Sequence, residues 1–133
     1  MSVTLSDDPA LAFTLDEAGH LDLATEPLSP SGLVITATGE LDIATVPQLR
    51  TAFADAFAAG VTRLVVDLRP LAFLDSVAVA ALLHARREVG DAGRLAVVVA
   101  PDSYAHLIFE VAGLSHCLDV FPTRDEAIAH VER

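Results

Sequence analysis

The sequence predicts an α/β fold: a mixed, largely parallel β-sheet with an N-terminal edge strand, covered by about four α-helices. From residue 32 onward, short β-branched runs alternate with longer segments of helical periodicity. Two of those runs, 63–68 and 95–100, are mostly apolar, which is typical of strands buried on both faces of a parallel sheet. The chain has 133 residues, of which 53% are hydrophobic and 20% charged, so we expect one globular domain.

The first thirty residues predict an edge strand and little other regular structure. Segments 11–15 and 21–25 are candidate strands, and we place an edge strand within 10–28. Residues 1–19 are predicted to form a poorly defined N-terminal arm or edge hairpin. The prolines and serines of 27–31 predict a loop before the regular part begins.

The first strand–helix pair begins with the branched residues of Gly32–Thr38, which predict a strand. Thr45 is the expected N-cap of the following helix, and Gln48, three residues later, completes the pattern of a capping box. The helix carries an apolar stripe at four-residue spacing: Leu49, Phe53 and Phe57. Gly60 predicts its end.

The remaining elements follow in the same alternation. The predicted strands are Arg63–Leu68, Leu95–Ala100 and Cys117–Phe121. The predicted helices are 76–89, Asp102–Ala112 and a terminal helix capped by Thr123. Because strands alternate with helices throughout, we expect most strands to be parallel.

Charge and cysteine content exclude several classes of partner. The chain has eight basic residues, all Arg, against 19 acidic ones, a net charge of −11. This balance excludes a nucleic-acid partner and disfavours an anionic membrane surface. The N-terminus lacks a signal peptide, and the longest apolar run, Val77–Leu83, is far below the roughly 20 residues of a membrane helix. With a single cysteine as well, we expect a cytoplasmic protein without membrane insertion.

Motifs of catalysis are missing from the sequence. It has neither a G-x-S-x-G elbow nor a phosphate-binding loop, and its five histidines lack metal-ligand spacing, so we predict no catalytic residue, no cofactor and no metal. Asp42, Asp67 and Asp75 near strand ends resemble the acidic site of a response-regulator receiver. A receiver also needs a lysine, which this chain lacks, so we interpret Asp67 as ending a strand and Asp42 as beginning a turn.

The pair Asp75-Ser76 stands where an apolar approach enters a helix of Val and Ala. One interpretation is an ordinary N-cap, which contributes about 0.5–2 kcal/mol. The other is a phosphorylation site, because a phosphate at a helix N-terminus meets free N–H groups and a favourable dipole. The added charge of about −1.5 to −2 would then expel a partner docked on neighbouring apolar residues.

These residues resemble a known family. The chain is similar to the bacterial anti-sigma factor antagonists, which are single STAS domains. The similarity lies in the order of five features: Gly39–Asp42, Thr45, the strand 64–68, Phe73–Ser76 and the tail 107–114. The likeness covers roughly residues 20 to 132, and we assign 20–133 to the STAS domain.

The resemblance implies partner switching. In that family the unphosphorylated protein binds an anti-sigma factor, itself a serine kinase, and releases the sigma factor. The kinase then phosphorylates the protein, and a PP2C-type phosphatase restores it. Carried over, the phosphorylated residue is Ser76. The implied partner-binding residues are Asp42, Ile43, Thr45, Asp75, Val77, Ala78 and Ala81.

The chain departs from the family after Ser76. Where the family has Ser or Thr and then Gly-Leu-Gly, this chain has Val77-Ala78-Val79-Ala80, which predicts extra methyl groups at the partner surface. The departure leaves open a non-phosphorylated STAS scaffold or the cytoplasmic regulatory subunit of a lipid or anion transporter. A small-molecule or nucleotide sensor at the strand-end crevice near Asp42 and Asp75 is the third hypothesis.

Overall fold

The structure is a computed structural model and describes residues 20–133, so the predicted arm at 1–19 lies outside the described residues. Within that range the strands are β1 (Leu21–Ser29), β2 (Gly32–Leu41), β3 (Arg63–Asp67), β4 (Leu71–Leu74), β5 (Arg94–Val98) and β6 (Asp119–Phe121). The α-helices are α1 (Val46–Ala58), α2 (Ser76–Val89), α3 (Tyr104–Val111) and α4 (Arg124–Glu132). A short 3₁₀ helix, Leu114–His116, precedes β6.

One sheet holds all the described strands, in the order β1-β2-β3-β5-β6. β1 is antiparallel to β2, and the other pairs are parallel. β2 is long enough to pair twice on the same side, with β3 through Gly32–Thr36 and with β4 through Gly39–Leu41. The predicted fold, a largely parallel sheet with an N-terminal edge strand, is confirmed.

Helices cover both faces of this sheet, as the mostly apolar strands predicted. In β3, Leu64 and Val66 pack in the larger core beneath α1, α2 and α3, whereas Val65 packs in a smaller core beneath α4. β5 alternates in the same way, because successive side chains of a strand point to opposite faces.

One predicted loop is part of a strand, and one strand was not predicted. Segment 27–31 was expected to be a loop, but β1 continues to Ser29 and a turn at Pro30 and Ser31 leads directly into β2. Pro27 is accommodated because β1 is the edge of the described sheet, where a missing N–H costs no ladder bond. The strand that was not predicted is β4, whose four residues are too few to show a strand period in the sequence.

Candidate functional site

The pairing of β2 with β4 brings two loops together at the carboxyl end of the sheet. Leu41, the last residue of β2, is opposite Leu74, the last residue of β4. The backbone N–H of Asp75 donates to the carbonyl oxygen of Leu41 at 3.0 Å and extends this pairing by one bond. Asp42 and Ile43 therefore follow one strand, while Asp75 and Ser76 follow its neighbour. We call these four residues the β2–β4 site.

The loop after β2 is held by its own side chains. The Oδ1 atom of Asp42 accepts hydrogen bonds from the N–H groups of Ala44 at 2.9 Å and Thr45 at 3.1 Å. This local turn leaves Ile43 at its tip, 78% exposed. An apolar side chain presented to solvent by a fixed loop is suited to contact with a partner.

Thr45 has a different role from the predicted one. Its side chain is fully buried, so it is absent from the docking surface. It occupies the N-cap position of α1 but forms no side-chain cap, so the predicted capping box is wrong. Instead Oγ1 donates to the carbonyl of Glu40 at 2.8 Å and accepts from the N–H of Asp42 at 2.9 Å. The hydroxyl thus ties α1 back to the end of β2 and fixes the loop from below.

The junction between β4 and α2 matches the N-cap prediction. Asp75 is the N-cap, and its Oδ1 atom accepts a hydrogen bond from the N–H of Val77 at 3.1 Å. Ser76 is the first residue of α2 and is exposed. Its hydroxyl therefore lies at the surface, next to a half-buried carboxylate.

Two more of the predicted partner-binding residues do not reach the surface. Ala78 and Ala81 are fully buried in the larger core, and Val77 is half-buried against it. The reason is helical phase, because residues three and four apart share one face of a helix. Ser76 and Ala80 lie on the outer face. The methyl group of Ala78 therefore fills the core, and the departure from the family pattern changes the exposed surface at Ala80 rather than at Ala78.

The STAS domain family profile matches residues 20–127, which is most of the chain. The chain belongs to the STAS domain family. No curated protein sequence matches this STAS domain.

Solved structures agree with this assignment. An anti-sigma factor antagonist from Mycobacterium paratuberculosis is 25% identical, with a TM-score of 0.79, and the match covers 87% of this chain and 97% of that one. The phosphorylated form of SpoIIAA, a Bacillus cell fate determinant, is 30% identical with a TM-score of 0.61, covering 83% of this chain and 99% of that one. The murine anion transporter Slc26a9 is 12% identical, with a TM-score of 0.65, over 92% of this chain and 24% of the transporter. That last likeness concerns the fold alone.

The sequence did not reveal an ion cluster around a buried carboxylate on the face of the sheet that α4 covers. The carboxylate of Asp67, 1% exposed, accepts hydrogen bonds from the side chains of Arg69 at 2.8 Å and Arg124 at 3.0 Å. Burial raises the pKa of Asp67, but the hydrogen bonds from both arginines outweigh it and hold the pKa below its ordinary value of 3.8. Arg124 also donates to the hydroxyl of Thr36 at 2.8 Å. The cluster therefore anchors the start of α4 to β2 and β3.

Two absences hold for residues 20–133, the part of the chain that the structure describes. None of their helices has the length and apolarity needed to cross a membrane. In the same part of the chain, no three His, Cys, Asp or Glu side chains are grouped so as to hold a metal ion.

Proposed function

We propose that this STAS domain, residues 20–133, is an anti-sigma factor antagonist that works as a binding module rather than an enzyme. Its unphosphorylated form binds an anti-sigma factor serine kinase, and phosphorylation of Ser76 ends that binding. The observation that carries the proposal is the exposed Ser76 hydroxyl at the start of α2, beside the exposed Ile43 of the neighbouring loop. Similarity to SpoIIAA in both its unphosphorylated form, at 28% identity, and its phosphorylated form supports it.

The proposed docking surface consists of the β2–β4 site and the half-buried Val77. Ile43 offers the apolar contact, while Asp42 and Asp75 hold the two loops through hydrogen bonds to backbone N–H groups. Thr45 supports this surface from below, and the buried Ala78 and Ala81 do not belong to it.

The switch would act through charge. A phosphate on Ser76 adds about −1.5 to −2 charge at neutral pH. Asp42 and Asp75 already place two carboxylates at this surface, so a partner that tolerates them would meet a third, stronger anion. Because Ser76 is exposed, the phosphate needs no space inside the fold. The complex would dissociate while the domain stays folded, and a PP2C-type phosphatase would reverse the change.

The first test is the intact mass of the protein after incubation with ATP and a lysate of its source cells. We expect a gain of one phosphate in the wild type and none in Ser76→Ala. Ser115→Ala, which changes another exposed serine, is the matched control and should gain the phosphate. A gain that persists in Ser76→Ala, or no gain while a control substrate is labelled, would contradict the proposal.

The second test measures affinity for the kinase once it has been purified from those cells. Ser76→Glu should weaken binding by at least about tenfold, because it places a carboxylate in the middle of the surface. Ser115→Glu adds the same charge away from the site and should bind as the wild type does. Equal affinity of the wild type and Ser76→Glu would refute the switch.

A further inference from the structure

Four large apolar side chains outside the β2–β4 site are exposed. They are Phe73 of β4 and Tyr104, Leu107 and Val111 of α3, with exposed fractions from 39 to 79%. We call this group the α3 patch. The rings of Phe73 and Tyr104 stack with centroids 5.6 Å apart and planes at 18°, so strand and helix form one continuous surface.

Folding alone does not account for the α3 patch. α3 already has an inward stripe, Ala105 and Phe109, which is buried in the larger core. Tyr104, Leu107 and Val111 form a second apolar stripe at spacings of three and four residues on a different side of the helix. A helix that is apolar on a second, solvent-facing side indicates that something else covers that side.

The charges around the patch define the chemistry of what covers it. Tyr104 and Leu107 line a groove of about 350 Å³ whose remaining lining includes the carboxylates of Asp102 and Glu110. The lining has no Arg, and its histidine, His106, already lies 3.3 Å from the carboxylate of Glu110. A lining that combines Tyr104 and Leu107 with two carboxylates fits a segment that combines apolar and basic side chains.

The α3 patch and the β2–β4 site are neighbours along the chain at the end of β4. Phe73 is followed in β4 only by Leu74, and Asp75 and Ser76 come next. Phe73 precedes Ser76 by three residues, which span at most about 11 Å, so a partner docked at Ser76 has the α3 patch within reach.

We propose that the α3 patch binds a basic amphipathic helix of the partner protein that docks at the β2–β4 site. This inference rests on the proposed function for the identity of the partner. The net charge of −11 opposes the alternative of an anionic membrane surface. In the bound state, apolar side chains of the helix cover Phe73, Tyr104 and Leu107, and its Lys or Arg residues face Asp102 and Glu110.

The test uses a model peptide: an 18-residue helix of Leu and Lys with the two types on opposite faces. The control peptide replaces every Lys by Glu. Titration of the ¹⁵N-labelled protein should give amide shift changes concentrated at Phe73, Tyr104 and Leu107 with the Lys peptide and none with the Glu peptide. Shift changes spread over acidic residues throughout the domain, or no binding, would overturn the proposal.

Matched variants separate the patch from general charge attraction. Leu107→Ala should lower the affinity for the Lys peptide roughly tenfold, which is the loss expected for an apolar residue at the centre of an interface. Glu110→Gln should also lower the affinity for the Lys peptide. Asp91→Asn removes a carboxylate from an exposed turn between α2 and β5, at the other end of the sheet, and should leave affinity unchanged. An equal loss in Asp91→Asn would overturn the proposal.

Other occupants of the patch are outcomes of the same series. If sedimentation shows a dimer that is lost in Leu107→Ala, a second copy of the chain covers the patch and the proposal is overturned. If the protein binds phosphatidylglycerol vesicles and Leu107→Ala does not, a membrane covers the patch and the proposal is likewise overturned. The peptide series uses unphosphorylated protein and varies only residues outside the β2–β4 site, so its outcome is independent of the phosphorylation test. Peptide binding without phosphorylation of Ser76 would therefore support docking at the α3 patch and refute the switch. Phosphorylation of Ser76 without peptide binding would support the switch and refute docking at the patch.

Discussion

Replacing Thr45 by Val tests whether the β2–β4 site is shaped from inside the fold. Valine has nearly the same shape as threonine but lacks the hydroxyl. The two shortest backbone contacts of that hydroxyl are with the carbonyl of Glu40 at 2.8 Å and the N–H of Asp42 at 2.9 Å. Thr45→Ser is the matched control, because it keeps the hydroxyl and removes one methyl group.

The expected magnitude follows from burial. A buried polar group left without its partner costs about 1–3 kcal/mol, and Thr45→Val leaves two such groups. The loop tip at Ile43 is exposed, so water reaches part of the loop and lowers the cost. We expect Thr45→Val to lose about 2 kcal/mol of the free energy of unfolding. Thr45→Ser should lose about 0.8 kcal/mol for one buried methyl group.

Urea unfolding and amide hydrogen exchange of the Thr45 variants together test this prediction. The amide of Asp42 donates to Thr45 Oγ1, so its exchange should become much faster in Thr45→Val and stay slow in Thr45→Ser. Binding of the proposed kinase partner should weaken as well, because the loop that presents Ile43 is no longer fixed. If Thr45→Val keeps a slow Asp42 amide and the stability of the wild type, the reasoning fails.

Three further predictions concern the remaining anchors of the fold. Because the pKa of Asp67 is lowered in the folded state, its stabilising effect is present above its ordinary pKa of 3.8 and is lost as pH falls through the lower folded-state value. The stability difference between wild type and Asp67→Asn should therefore shrink below about pH 4 in urea unfolding, and a constant difference would argue against the ion cluster. Asp75→Ala should lower the free energy of unfolding by about 1 kcal/mol, and Asp75→Asn should lower it by less, because asparagine can also cap a helix. Urea unfolding measures both losses, and equal losses would argue against the N-cap. Ala78→Leu should cost about 1–3 kcal/mol by overpacking the core, whereas Ala80→Leu on the exposed face should stay within about 0.5 kcal/mol; the reverse order would show the helical phase to be wrong.

Much of the fold could be predicted from the sequence, because the signals are local. The mostly apolar runs of β3 and β5 predicted strands buried on both faces, and both cores are found there. The bounds of α2, 76–89, and the cap at Thr123 depend on side chains within a few residues and were predicted correctly. The Asp75 cap belongs to the same class.

Contacts between distant parts of the chain were decided only by the tertiary structure. The ion pair of Asp67 with Arg124 joins residues 57 positions apart, and no local pattern marks it. The short strand β4 exists because β2 extends past β3, and that pairing sets the loop of Asp42 beside Ser76.

The candidate site also combines features that the sequence predicted with features that only the tertiary structure decided. Its residue types and the Asp75-Ser76 junction are present in the sequence, because capping is a local hydrogen bond. Which side chains reach solvent depends on the face that each element turns to the core. That orientation makes Thr45 an internal support, buries Ala78 and Ala81, and exposes Ile43 and the α3 patch.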